Sequence, residues 1–222
     1  MKVVCYTVIT GGYDILQNHI NIPEYDFIAY IDDKSIIPPN TNWEIRDIPE
    51  ELSNLPSKKK SSYIKFFANK YFPEYDVSIY YDGKCILTSD CKDLLALDYE
   101  DKRYILIKHP HRDCIYDEIL TISNLKWEEK EKLNNLLTMI YNENYPKHNG
   151  YFDTCFMIRY HNDPYVIELM NAWWDLINEL NMTRIDMCLR FVFWKQNKKY
   201  NTIPYYSKYF KNKGHYKQHY KF

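Results

Sequence analysis

Apolar positions along this chain follow two rhythms. Continuous or alternating runs at Lys2–Thr10, Asp26–Ile31, Trp43–Ile48, Val77–Tyr81, Cys85–Leu87, Arg103–Lys108 and Tyr151–Tyr160 predict strands. A 3.6-residue period predicts helices over Ser57–Tyr71, Asp113–Ser123 and Trp127–Glu143. In the first of these Tyr63, Phe66, Phe67 and Lys70 share a face, and Pro73 stops the run. Asp163-Pro164 opens a further helix, its proline pre-set for the first turn, which runs through Met170, Trp173 and Trp174 to about Leu180. Thr183 begins the last, with Asp186 in its first turns, and the final twenty residues show no clear period.

Strands and helices alternate through the first half, which predicts a parallel α/β sheet covered by helices. No repeat or linker divides the chain, so a single domain over residues 1–222 is expected. Ligands of such sheets bind beyond the carboxyl ends of the strands. Gly11-Gly12, Asp32-Asp33 and Asp82-Gly83 stand at three such ends and should lie along one edge.

Composition changes this picture little. A net charge of -1 argues against a general affinity for nucleic acid, which needs a basic face. Tyrosine is abundant, with 23 copies against five glycines, which fits both the AT-rich coding of a large virus or low-GC bacterium and tyrosine faces stacking on sugar. Six cysteines form no CxxC pair and no histidine has zinc-finger spacing, so a structural zinc site is not expected. No apolar run approaches the ~18 residues of a membrane span. Met1 to Tyr6 reads as a strand rather than a signal peptide. The expected setting is cytoplasmic and reducing, the host cytoplasm for a viral protein.

Candidate chemistry centres on charged residues at strand and helix ends. Asp82, after a buried strand and before a glycine, suits a hard cation carrying phosphate oxygens, although Asp-Gly is also a common hairpin turn. Lys58, Lys59 and Lys60 read as a solvated helix end, whereas Lys65, among aromatics, suits a diphosphate. His109 and Arg112 occupy a loop suited to an acceptor or phosphate, with Asp113 as a helix cap. Asp186 is either an ordinary first-turn carboxylate, capped from Thr183, or a catalytic carboxylate facing the transfer site. Asp153 is a second catalytic candidate, and His215 or His219 on the tail a metal ligand. There is no GxGxxG, Walker A or GxSxG motif.

Taken in order, several stretches resemble one family. They are Tyr6-Thr7 with Gly11-Gly12-Tyr13-Asp14, Tyr30-Ile31-Asp32-Asp33, Tyr63-Ile64-Lys65, Pro73-Glu74-Tyr75-Asp76 and Tyr81-Asp82-Gly83. They continue with His109-Pro110-His111-Arg112-Asp113-Cys114-Ile115-Tyr116-Asp117-Glu118, Ile158-Arg159-Tyr160-His161-Asn162-Asp163, Trp173-Trp174 and Arg184-Ile185-Asp186-Met187. This set resembles a glycosyltransferase-like family long described only as a domain of unknown function, with plant mucilage- and turgor-related members and relatives in bacteria and large DNA viruses.

The resemblance implies a GT-A fold, a Rossmann-like nucleotide-binding sheet whose DxD motif holds a metal. Asp82 matches the last acidic position of that motif, and Tyr80 stands where its first Asp would be. By the same likeness Thr7, Gly11, Asp32, Lys65 and Asp82 are donor contacts, Asp186 the active-site carboxylate, and Asp82 with His215 the ligands of Mn²⁺ or Mg²⁺. The implied reaction is transfer of a hexose or deoxyhexose from a nucleoside-diphosphate sugar, such as a UDP-sugar, to a glycan acceptor. A GT-A-fold nucleotide-sugar- or carbohydrate-binding module without turnover and a nucleotide-sugar hydrolase remain as alternatives.

Overall fold

A computed structural model describes residues 1–96 and 103–214. Its centre is a seven-stranded sheet of order β3-β2-β1-β4-β7-β6-β8, made by β1 (Val3–Ile9), β2 (Tyr25–Ile31), β3 (Glu44–Arg46), β4 (Val77–Tyr81), β6 (Tyr104–Lys108), β7 (Phe152–Arg159) and β8 (Asn201–Ile203). The first four strands are parallel, and β8 is parallel to β6. The parallel arrangement expected from the first half holds for these strands, whereas β7, in the second half, runs antiparallel to both β4 and β6. The excursion of α4 (Ile115–Leu125) and α5 (Lys130–Asn142) between β6 and β7 returns the chain in the opposite sense. Apolar periodicity reports burial, which is the same for either direction.

Helices cover one face of the sheet. Val4, Tyr6 and Val8 of β1 pack there with Phe66 of α1 (Ser57–Phe66), Trp173 of α6 (Pro164–Glu179) and Phe191 of α7 (Asp186–Lys195). Phe66 and Trp173 stack at 3.7 Å between ring centroids. Val3, Cys5 and Ile9 face the opposite core with Leu16, Trp43 and Leu87. Every residue of β1 is buried, as a strand covered on both faces requires. All six cysteines are free and buried, and no described helix is long and apolar enough to cross a membrane.

The predicted helix 57–71 breaks at Phe67 into α1 and the short α2 (Ala68–Tyr71). The last carbonyls of α1 find other partners: Tyr6 Oη donates to Lys65 O at 2.8 Å, and the fully buried Arg159 donates to Phe66 O and to Tyr6 Oη. His161 Nε2 lies 2.8 Å from Phe72 O, and Asn162 donates to Pro73 O and Tyr75 O. Asp163 caps α6 through Tyr165 N–H at 2.8 Å. The run from Arg159 to Asp163 is therefore a structural lock between the end of β7 and the chain leading into β4.

Two predicted caps are not used. Cys114 occupies the N-cap position of α4, while Asp113 meets His148 Nδ1 at 2.9 Å. Helix α7 begins at Asp186 with Ile185 at its cap, and Thr183 donates instead to Glu128 Oε2. The tail adds β9 (Phe210–Asn212), which pairs with β5 (Cys85–Leu87), the strand ahead of the short α3 (Lys92–Ala96), and it forms the three-residue strand β8, too short for a period to show.

Candidate active site

Strands β1 and β4 end side by side, and beyond them opens a cavity of about 570 Å³. Lys58, Ser61, Ser62 and Lys65 line one wall, and their spacing places them on a single stripe of α1. Asp82, Gly83 and Lys84 enter from the turn after β4, Asp153 and Thr154 from β7, His109 and Arg112 from the loop after β6. Thr183 to Asp186 line the cavity with Glu118 and Trp127, and Tyr205 and Asn212 of the tail also reach it.

One end of the cavity gathers two lysines around Asp82. The buried Lys65 ammonium lies 3.4 Å from Asp82 Oδ1 and 3.2 Å from Thr154 Oγ1, over the Tyr80 ring at 4.5 Å. Lys84 approaches the other oxygen, Asp82 Oδ2, at 3.6 Å. Tyr80 Oη donates to Asp82 Oδ1 at 2.8 Å. Burial opposes the Lys84 ammonium, but the Asp82 and Asp153 carboxylates outweigh it and raise its pKa above the ordinary lysine value. The β6–β7 register slips between Leu106 and Ile107, and this bulge lies where Asp153 and Thr154 reach the cavity. Gly83 must be small, because a Cβ there would lie 2.7 Å from Ile9 Cδ1 and 3.0 Å from Asp14 Cβ.

The other end is built around Asp186. Tyr151 Oη donates to its Oδ2 at 2.9 Å, and Arg184 Nε lies 3.8 Å from Oδ1. Burial disfavours the Asp186 carboxylate, yet Arg184, the Tyr151 hydrogen bond and Lys65 prevail and hold its pKa below the ordinary range. Glu118 is its opposite: burial and the nearby Asp186 push its carboxyl up, partly countered by its ion pair with Arg112. His109 Nδ1 accepts from Arg112 N–H at 3.0 Å, and burial with the Arg112 charge lowers its pKa to about 4. The buried Glu128 fixes the approach to α7, its Oε2 accepting from Thr183 N–H, Thr183 Oγ1 and Arg184 N–H at 2.6 to 2.8 Å.

Of the predicted residues, Lys65, Asp82, His109, Arg112, Asp153 and Asp186 meet in this cavity. Three predicted donor contacts do not line it. Thr7 falls on the β1 face shared by Cys5 and Ile9 and is buried with its hydroxyl unpaired. Asp32 accepts from Gly11 N–H at 2.9 Å, so carboxylate and amide tether two loops to each other. His215 lies outside the described residues. Lys58, read as solvated, lines the cavity, whereas Lys59 turns to Asn178 Oδ1 at 2.6 Å. Of the many tyrosines, Tyr6, Tyr30, Tyr81 and Tyr104 are core residues, while Tyr13, Tyr80 and Tyr205 reach the cavity.

Among the described residues, which leave out the expected ligand His215, the surroundings of Asp82 do not make a divalent-metal site. Both of its oxygens face ammonium groups, and it belongs to no group of three ligand-type side chains. Among the described residues the one such group is Cys114, Asp117 and His148, which does not line the cavity.

Sequence reasoning missed Lys84, Arg184, Glu118, Glu128 and Tyr151. Lys84 had a readable signal, since it directly follows the Asp-Gly pair and shares its turn. Glu128 had none, because its partners lie 55 and 56 residues away.

No protein-family model matches the chain, and no curated protein matches it by sequence. Among solved structures it is similar to the apo form of the glycosyltransferase GlyE of Streptococcus pneumoniae TIGR4, at 12% identity and a TM-score of 0.48. The match covers 91% of this chain and 45% of that one, so the chain spans less than half of GlyE's length. A likeness this distant says nothing about activity.

Proposed function

We propose that the chain is a glycosyltransferase that moves a hexose or deoxyhexose from a nucleoside-diphosphate sugar, a UDP-sugar in the first instance, to a glycan hydroxyl. The observation that carries this reading is the division of one cavity into a lysine-rich end and an end holding an ionised carboxylate. Lys65 and Lys84 suit a diphosphate, and Asp186 suits an acceptor hydroxyl. The sequence resemblance points to the same reaction class.

In the reaction the bond between the anomeric carbon and the donor phosphate oxygen breaks, and its electron pair leaves with the nucleoside diphosphate. The ammonium groups stabilise that charge where it develops, usually the main source of rate acceleration in such catalysis. The acceptor oxygen forms the new bond to the anomeric carbon and passes its proton to Asp186. Arg184 and Tyr151 hold Asp186 ionised and oriented for that role.

A panel of UDP- and GDP-sugars, incubated with the protein with and without short glycans, tests the reading. Nucleoside diphosphate release that depends on acceptor supports transfer. Binding without release would indicate a binding module, and release indifferent to acceptor a hydrolase.

A further inference from the structure

We infer that the donor diphosphate is neutralised by the Lys65 and Lys84 ammonium groups in place of a divalent cation. This rests on the reading of the cavity as a nucleotide-sugar site. Asp82 is the carboxylate on which a metal would depend, yet its surroundings are those of an anion already paired. Lys65 stands at 3.4 Å from Oδ1 and Lys84 at 3.6 Å from Oδ2, and Tyr80 adds a hydrogen bond of 2.8 Å to Oδ1. A dication at those oxygens would be repelled by both ammonium groups at close range. Tyr80, where a second carboxylate would complete a metal-binding pair, is buried and donates a proton instead of offering an anionic oxygen.

The two lysines supply what a metal would supply to the leaving group. Together they carry two positive charges, the same as one dication, with the Asp82 carboxylate beside them in either arrangement. They reach the cavity from independent elements, α1 and the turn after β4, so they can approach a diphosphate from two sides. Their motion is restrained. Lys65 is 5% exposed, held by Thr154 and the Tyr80 ring, and the Lys84 side chain is 16% exposed. Asp82 then acts as a placeholder that keeps both charges in position until a diphosphate takes over their pairing. Lysine is a regular phosphate partner as a compact point charge.

Calorimetric titration of UDP and of uridine, in EDTA and again with Mn²⁺, tests this. The inference expects UDP to bind in EDTA with an affinity that Mn²⁺ does not improve. Lys84→Met should weaken UDP by roughly 10-fold or more, the scale of one lost charged hydrogen bond, and leave uridine unchanged. Asp82→Asn gives the opposite sign: a metal ligand would lose UDP binding, whereas a placeholder keeps it or tightens it. UDP binding that requires Mn²⁺ and disappears in folded Asp82→Asn overturns the inference while leaving the nucleotide-sugar reading intact. No binding of UDP, or of GDP titrated in the same way, in either buffer overturns both. Should Lys84→Met fail to fold by circular dichroism, the EDTA titration and Asp82→Asn decide the matter.

Discussion

Tyr151 donates its phenolic hydrogen to Asp186 Oδ2 across 2.9 Å, joining the residue that precedes β7 to the first residue of α7. A carboxylate in a first helical turn has a bland explanation, worth about 0.3–1 kcal/mol from the helix dipole. The Tyr151 and Arg184 contacts go further, since they aim and ionise the group inside the cavity. Asp186→Asn should therefore lower turnover by roughly 100-fold or more while UDP affinity holds. Normal turnover at saturating donor and acceptor would remove Asp186 from the chemistry and leave Asp153 as the next carboxylate to test.

Acid should loosen the fold in a defined window. His161 and His109 both have pKa values lowered to about 4, chiefly by burial, with positive charge from Arg159 and Arg112 respectively adding to it. The unfolded chain binds those protons near the ordinary pKa of about 6.5, so unfolding takes up protons between the two values. Stability contributed by the two histidines is complete above pH ~6.5 and is lost as pH falls toward 4. Denaturant midpoints measured across the window should decline. They should decline less in His161→Gln, which keeps a donor for Phe72 O. An unchanged slope in that variant would contradict the assignment.

Glu128 holds the backbone that delivers Arg184 to the cavity. Glu128→Ala leaves three donors without their shared acceptor, at a cost of roughly 2–4 kcal/mol. Chemical denaturation should show that loss, and turnover in the folded fraction should fall as Arg184 shifts. A stability change within error would mean that the approach to α7 is held by other contacts.

The legible part of the molecule was its apolar framework and the strand ends. Continuous runs in β1, β2 and β4 mark these strands and their ends, because buried parallel strands leave little doubt about where they stop, and of the three ends Asp82-Gly83 is the one that lines the cavity. Lys65 stood out as a lysine among aromatics. Thr7, expected at the donor site, does not line the cavity, and a strand buried on both faces offers no polar alternation to say which face a residue takes. Arg159 and His161 belong to one of the stretches that carry the family resemblance, and their work is to satisfy carbonyls at the end of α1 and ahead of β4. The direction of β7 and the pairing of Glu128 with residues 183 and 184 arise from tertiary packing, which no local pattern encodes.

Gly83 tests how closely the turn must approach β1. Gly83→Ala would press a methyl group against Ile9 and Asp14, and overpacking of this kind costs about 1–3 kcal/mol. Because Lys84 follows directly, UDP affinity in the folded protein should fall as well. A variant as stable as the parent would show that Ile9 has room to move aside.

Transfer of a sugar in this cavity is tested most directly by mass spectrometry of the acceptor. Purified protein, UDP-hexoses and short glycans are incubated together, and the acceptor is weighed before and after. The expected result is an acceptor heavier by one sugar residue, UDP released in equal amount, and both signals nearly lost in Asp186→Asn. UDP released with no change in acceptor mass, or acceptor glycosylation undiminished in Asp186→Asn, would contradict sugar transfer through this site.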